Sequence, residues 1–86
     1  MIIQYSKAAV KAIQSMDRPT KQRLKLAIEG LLQNPPVGDI KQMQGYSEQT
    51  YRLRVGKYRI IYKVIVDIDG NIVYIIDIGS RGDIYK

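Results

Sequence analysis

The segment from Tyr51 to Lys63 constrains the fold most, because its residue pattern is typical of a β-hairpin with one apolar and one cationic face. Successive side chains of a strand point to opposite faces. One face of this segment collects the apolar residues Tyr51, Leu53, Val55, Tyr58, Ile60 and Tyr62. Gly56 stands first in a two-residue connection, as a type II′ turn requires. With that turn, Arg54 lies directly opposite Arg59.

The other face of this hairpin concentrates positive charge. Residues 50–63 contain no acidic residue, and their cations are Arg52, Arg54, Lys57, Arg59 and Lys63. Like charges directly opposite each other destabilise a sheet, so a chain that keeps these arginines together is expected to use them to bind an anion. Arg52 and Arg54 also suit charged edge-strand residues that prevent aggregation.

The composition limits the chain to one small domain and to a few kinds of chemistry. Its 86 residues suffice for a single hydrophobic core, so we expect one domain over residues 1–86. The sequence contains no Cys, which excludes disulfides and suits the cytoplasm. It also contains no His, so it lacks the commonest general base and metal ligand. The formal net charge of +6 favours polyanionic partners such as nucleic acid or acidic proteins.

The predicted order of elements along the chain is β-α-α-β-β-β. We expect these elements: a strand at Ile2–Tyr5, a helix capped by Ser6 to about Met16, a helix from Asp17-Arg18-Pro19 to about Gln33, a loop over Val37–Gln49, the hairpin, a turn at Asp69-Gly70 and an interior strand at Asn71–Ile78. The register of this last strand stays open, because the residues around Asp67-Ile68 can form the loop in more than one way. The pattern predicts an α+β fold, in which a helical hairpin packs on the apolar face of a small, mainly antiparallel sheet. The cationic face is then left open.

Two further sets of residues are expected to contribute to the core. In the second helix, apolar residues recur at helical spacing, and they are Leu24, Ile28, Leu31 and Leu32. The tyrosines expected to pack in the core rather than to act in a site are Tyr51, Tyr58, Tyr62 and Tyr74.

These features together resemble a known family. The segments that carry the resemblance are the helical hairpin ending in Asn34-Pro35-Pro36, Gly45, the stretch Tyr51-Arg52-Leu53-Arg54-Val55-Gly56-Lys57-Tyr58-Arg59-Ile60-Ile61-Tyr62, and the tail Gly79-Ser80-Arg81-Gly82-Asp83-Ile84-Tyr85. They span nearly the whole chain and resemble the RelE/ParE superfamily of toxins from type II toxin–antitoxin systems. The resemblance implies the RelE-like fold.

The resemblance also implies a function and partners. RelE-type toxins are small cytoplasmic endoribonucleases that cut mRNA in the ribosomal A site by attack of a ribose 2′-OH, which leaves a 2′,3′-cyclic phosphate, and they use no metal ion or other cofactor. An acidic antitoxin neutralises the toxin, and the pair binds its operator DNA. ParE-type toxins share the fold and instead inhibit DNA gyrase.

Family positions can be assigned to residues of this sequence. The resemblance implies catalytic roles for Arg52, Arg54, Arg59, Arg81 and Tyr85. The cations expected to contact RNA are Lys57, Lys63 and Lys86. Guanidinium groups suit the phosphorane formed during cleavage, because they offer bidentate donors to phosphate oxygens. Other roles are open: Arg59 also suits a structural ion pair, Arg81 a solvated tail charge, and Tyr85 C-terminal packing.

The general base is the least determined part of the predicted site. Arginine stays protonated in proteins and is a poor base. The candidates in the sequence are Tyr85, Glu48 and Lys57, with a ribosomal group as a further one. We favour Tyr85, because neighbouring arginines lower the pKa of a tyrosine.

Three functions therefore compete at the level of sequence. The first is a ribosome-dependent mRNA endoribonuclease that inhibits translation, which explains the arginine patch best. The second is a ParE-like gyrase inhibitor, which fits the fold equally well but requires no phosphate contact. The third is an inactive module that retains only contacts with the antitoxin and operator, and it remains open because His and a lysine base are absent.

Overall fold

The computed structural model describes residues 2–33, 35–43, 45 and 49–80. The elements in chain order are β1 (Ile2–Tyr5), α1 (Lys7–Gln14), α2 (Arg18–Glu29), a 3₁₀ helix (Gly30–Leu32), β2 (Asp39–Gln42), β3 (Thr50–Val55), β4 (Tyr58–Asp67) and β5 (Gly70–Ser80). The strands form one sheet in the order β1-β5-β4-β3-β2. Only β1 and β5 pair in parallel among these neighbours, which confirms the predicted α+β fold with a mainly antiparallel sheet.

Both helices begin at the predicted caps. Ser6 Oγ accepts a hydrogen bond from the backbone N–H of Ala9 at 3.1 Å, and Asp17 Oδ1 accepts one from Thr20 N–H at 3.0 Å. Each bond satisfies a backbone donor of the first turn that has no partner within the helix. Both helices end earlier than predicted, and the last part of the expected second helix is the 3₁₀ turn.

The central hairpin has the predicted register. Val55 pairs with Tyr58 and Arg54 with Arg59. Gly56 has φ +59°, and the following turn residue is not among the described residues with positive φ, as a type II′ turn requires. The alternation of residues along this segment was therefore sufficient to fix both the turn and the pairing.

One prediction about the remaining connections was wrong. Part of the expected loop over Val37–Gln49 is β2, which pairs with β3 at the edge of the sheet. This strand was missed because a short polar segment carries little alternation to distinguish a strand from a loop. The sequence left the register of the β4–β5 connection open, and in the structure Asp67 pairs with Gly70, so that Ile68 and Asp69 form the connection.

The core lies between the helices and one face of the sheet. Its buried residues from the helical side are Ala9, Leu24, Ile28 and Leu31, and from the sheet Leu53, Ile60, Tyr62, Val73, Ile75 and Ile78. Tyr51 and Tyr58 are partly buried against this cluster. Leu32 does not join it and is 37% exposed, because the helix tightens to 3₁₀ geometry before this residue and shifts its direction. Neither helix is long and apolar enough to cross a membrane.

A β-bulge in β5 explains why this strand is apolar on both faces. Ile75 lies opposite Tyr62 and Asp77 opposite Ile61, so Ile76 is an extra residue in β5. The bulge allows both Ile75 and Ile78 to reach the core, although they are three residues apart. The predicted position of this strand inside the sheet is confirmed, since it lies between β1 and β4.

Candidate functional site

The face of the sheet opposite the helices, here called the open face, brings the predicted arginines together. Two rows of residues cross neighbouring strands. The first row contains Asp39, Arg54, Arg59 and Gly79, and the second Lys41, Arg52, Ile61 and Asp77. Side chains directly opposite each other in such rows have Cβ atoms about 5 Å apart. Three guanidinium-bearing residues from two strands therefore share one small area, as the sequence predicts, and we call Arg52, Arg54 and Arg59 the arginine cluster.

An acidic residue from the unpredicted strand β2 joins this cluster. The Nε and Nη2 atoms of Arg54 each lie 2.7 Å from Oδ2 of Asp39. The Nη2 atom of Arg52 lies 3.6 Å from Oδ1 of the same carboxylate. The hairpin segment itself contains no acid, but the fold places one against two of its arginines. Asp39 thus offsets part of the repulsion that the cross-strand pairing of Arg54 and Arg59 creates.

The three arginines differ in how far they reach into solvent. The side chain of Arg54 is 51% exposed, whereas that of Arg52 is 12% exposed. Arg59 is half-buried, and Ile61, which lies beside Arg52 in the second row, is 6% exposed. The cluster is therefore set into the sheet surface, and its charges are less hydrated than those of free side chains. Partly desolvated guanidinium groups bind anions more strongly than fully hydrated ones.

A second cationic element lies further along the open face. Lys63 pairs with Tyr74 across β4 and β5, and its Nζ lies 5.8 Å from the centre of the Tyr74 ring. Lys63 follows Arg59 by four residues on the same face, which corresponds to about 13 Å along the strand. The prediction that Tyr74 belongs to the core was wrong, because the bulge in β5 changes which residues face the helices.

The predicted RNA contact Lys57 lies elsewhere. Its Nζ is 5.5 Å from the ring centre of Tyr58, a residue that packs against the core on the helical side. Its charge also acts on Asp17: hydrogen bonds from Thr20 lower the pKa of Asp17 most, and Lys57 adds a smaller effect in the same direction. The structure therefore does not bring Lys57 to the arginine cluster. This position also makes it a poor candidate for the general base.

Several predicted residues lie outside the described part of the chain. They are Glu48, Arg81, Tyr85 and Lys86, and their roles stay predictions. Sequence reasoning in turn missed Asp39, Lys41 and Asp77, which the sheet places in the two rows of the open face. Asp77 is half-buried there, and its Oδ1 accepts a hydrogen bond from the backbone N–H of Ile78 at 2.9 Å. Within the described ranges, no three acidic side chains lie close enough together to hold a metal ion.

The helical side of the sheet carries a concavity, which is apolar. Its volume is about 580 Å³, and its lining includes Leu31, Pro36, Ile40, Tyr51, Tyr62 and Val64. The rings of Tyr51 and Tyr62 stack there with centres 5.5 Å apart. Burial, with a smaller effect from Tyr51, raises the pKa of Tyr62 to about 12. The Tyr62 hydroxyl is therefore neutral at physiological pH, and the concavity suits an apolar partner rather than acid–base chemistry.

Comparison with known proteins matches almost the entire chain. The family model described as "ParE toxin of type II toxin-antitoxin system, parDE" matches residues 3–85. A protein of Methanocaldococcus jannaschii named "Putative toxin RelE1" is 32% identical over 87 residues, which cover 98% of this chain and 93% of that protein. Both the family model and this relative therefore match nearly the whole chain.

Solved structures agree with this assignment. The toxin in the RelB-RelE antitoxin-toxin complex from Methanococcus jannaschii is similar with a TM-score of 0.68 and 30% identity, over 95% of this chain and 94% of that one. The isolated RelE toxin of E. coli has a TM-score of 0.72 at 19% identity, over 98% and 89% of the two chains, and this likeness concerns the fold alone. Since the family match covers nearly every residue, the chain belongs to the RelE/ParE superfamily of toxins from type II toxin–antitoxin systems.

Proposed function

We propose that this toxin is a metal-independent endoribonuclease that cleaves mRNA on the ribosome and thereby inhibits translation in the cytoplasm. The observation that carries the proposal is the arginine cluster, in which Arg52, Arg54 and Arg59 lie side by side on the open face of the sheet. A gyrase-binding surface does not require such a concentration of phosphate-binding groups. The likeness to proteins named RelE supports the same choice.

The proposed reaction places each group in a definite role. The 2′-oxygen of one nucleotide attacks the adjacent phosphorus, the bond from phosphorus to the 5′-oxygen breaks, and a 2′,3′-cyclic phosphate and a 5′-hydroxyl are formed. The phosphorane carries additional negative charge, which Arg54, Arg59 and Arg81 would stabilise through hydrogen bonds to its oxygens. In this proposal Tyr85 accepts the 2′-OH proton as its phenolate, the leaving 5′-oxygen takes up a proton from water, and Tyr85 then returns its proton to the solvent.

The proposed inhibitory partner is an acidic antitoxin. The similar chains from Methanococcus jannaschii and Pyrococcus horikoshii are each described as RelE in complex with RelB. A net charge of +6 favours association with an acidic chain, and the apolar concavity around Tyr51 and Tyr62 offers a surface for the apolar side of such a chain. The toxin–antitoxin pair would also bind its operator DNA.

The proposal is tested by expressing the toxin without an antitoxin and mapping mRNA 5′ ends. We expect cleavage at preferred positions within codons, and we expect Arg54→Ala and Arg81→Ala each to reduce the rate by roughly 10²–10³. Lys21→Ala is the matched control, because it removes one positive charge from the exposed surface of α2 and leaves the open face unchanged. Growth arrest without codon-linked cleavage would refute the nuclease function.

A second function, inhibition of DNA gyrase, is favoured by two observations. The matching family model is described as a ParE toxin, and Asp39 already pairs with Arg52 and Arg54, so these arginines have a structural partner without nucleic acid. Supercoiling assays with purified gyrase separate the two functions. Strong inhibition by the purified toxin, retained in Arg54→Ala, would favour the gyrase function. No effect in either assay would favour an inactive module that only binds antitoxin and operator.

A further inference from the structure

The carboxylate of Asp39 lies against the guanidinium groups of Arg52 and Arg54. Arg54 directs two nitrogen atoms at Oδ2, each at 2.7 Å, and Arg52 directs Nη2 at Oδ1 from 3.6 Å. Both oxygens of the carboxylate thus face guanidinium groups. A phosphodiester presents two anionic oxygens to arginine in a similar way, and the same fork geometry serves both anions.

The position of Asp39 makes this contact easy to displace. Asp39 opens the four-residue edge strand β2, and its side chain is 46% exposed. Ion pairs at such exposed sites contribute only about 0–1 kcal/mol, because water and salt screen them. An arriving phosphate carries the same charge and also reaches Arg59, which lies directly across from Arg54.

We propose that Asp39 is an internal counter-anion, which occupies the phosphate site of Arg52 and Arg54 and is displaced when an RNA backbone binds. The nature of the ligand rests on the proposed nuclease function, whereas the competition follows from the ion pairs themselves. Asp39 lowers the affinity of the cluster for any single phosphate. Chains with several phosphates compensate for that loss, because they also reach Lys41 and Lys63 on the same face, so Asp39 selects extended single strands over mononucleotides.

The test compares two variants that each remove one negative charge. Asp39→Asn keeps the size of the side chain and removes the competing anion. Asp69→Asn is the matched control, because Asp69 lies in the β4–β5 turn, on the order of 25 Å from Arg59 along the strand. That distance exceeds the Debye length of about 10 Å at 0.1 M salt. The probe is a labelled single-stranded RNA with 2′-O-methyl groups throughout, which cannot undergo 2′-OH attack.

Binding is measured by fluorescence anisotropy at several salt concentrations. We expect Asp39→Asn to bind the RNA roughly tenfold more tightly near 0.1 M salt, since a charge a few ångströms from the phosphate has been removed. The slope of the logarithm of its affinity against the logarithm of salt should change little, because the same phosphates are neutralised once Asp39 has been displaced. Asp69→Asn should change the affinity by less than about twofold. Equal effects of the two variants, or weaker binding by Asp39→Asn, would overturn the proposal.

A measurement on the unaltered protein makes the test independent of any loss of folding in the variant. The Nε–H of Arg54 donates to Asp39 at 2.7 Å, and its NMR signal in the wild type should shift on saturation with the RNA. A signal that does not change at saturation would also overturn the proposal. Neither readout involves cleavage, so a toxin that binds as expected but cuts no mRNA would refute the proposed function and leave this inference intact.

Discussion

Replacement of Ser6 by alanine should destabilise the toxin far more than the same replacement of a partly exposed serine normally does. Ser6 Oγ accepts a hydrogen bond from Ala9 N–H at 3.1 Å and donates one to the carbonyl of Ile76 at 2.5 Å. The first bond caps α1, and the second joins that helix to the bulge of β5. The backbone N–H of Ser6 adds a bond to the Ile75 carbonyl at 2.9 Å, which alanine would retain.

The expected loss follows from the two side-chain bonds. An N-cap serine contributes about 1 kcal/mol relative to alanine. A partly buried carbonyl that loses its donor costs about 1–2 kcal/mol. The free energy of unfolding of Ser6→Ala should therefore fall by about 2–3 kcal/mol. For a domain of this size each kcal/mol lowers Tm by roughly 4–8 °C, so the expected change in Tm exceeds about 8 °C.

Urea denaturation of the wild type and four variants tests this reasoning. Ser15→Ala is the matched control, because Ser15 Oγ donates to Ala12 at 2.8 Å on an exposed helix end, and its effect should stay within about 0.5 kcal/mol. Ser6→Thr keeps both bonds and should resemble the wild type, whereas Ser6→Asp keeps the acceptor but not the donor and should lie between. A Ser6→Ala protein as stable as Ser15→Ala would refute the assigned role of the bulge contact.

Two further substitutions test the packing and the protonation of the helical side. Gly38→Ala should lower the free energy of unfolding by about 1–3 kcal/mol in urea denaturation, because Gly38 has φ +138° and an added Cβ would lie 2.6 Å from Cδ1 of Leu53. Burial raises the pKa of Tyr62 to about 12, above the value of about 10 in an unfolded chain. The neutral hydroxyl is thus favoured in the folded state, and its stabilising effect is complete below about pH 10 and lost as the pH rises toward 12. Over that pH interval the free energy of unfolding of Tyr62→Phe should therefore fall less than that of the wild type, by at most about 2 kcal/mol. Parallel curves of unfolding free energy against pH for the two proteins would contradict the raised pKa of Tyr62.

Much of the fold could be predicted from the sequence, because its strongest signals are local. The alternation around Gly56 fixed the register of β3 and β4, and Ser6 and Asp17 marked the helix starts. The edge strand β2 was missed because four residues with one apolar side chain, Ile40, do not alternate enough to indicate a strand. The orientation of Tyr74 was missed because no local pattern marks the bulge, whose Ile76 carbonyl accepts a hydrogen bond from Ser6, 70 residues away.

The candidate site was predictable only where it lies within one hairpin. Arg52, Arg54 and Arg59 are at most seven residues apart, so alternation alone places them on one face. Asp39 and Asp77 reach the same face from other strands, and no local pattern connects them with the arginines. The sequence therefore predicted the charge of the site correctly but not its internal counter-anion.

Net charge alone does not identify the open face as the site. The helical region from Lys7 to Glu29 is also strongly basic, with Lys7, Lys11, Arg18, Lys21, Arg23 and Lys25 against Asp17 and Glu29. Those helical cations are all exposed, and they can separate from one another because their side chains are flexible. The backbone positions of Arg54 and Arg59 cannot separate, since the register of β3 and β4 holds them opposite each other. An anion that binds between two such cations reduces the repulsion between them. A helical lysine such as Lys21 carries the same charge without this enforced proximity, and it is therefore the appropriate control for every arginine variant.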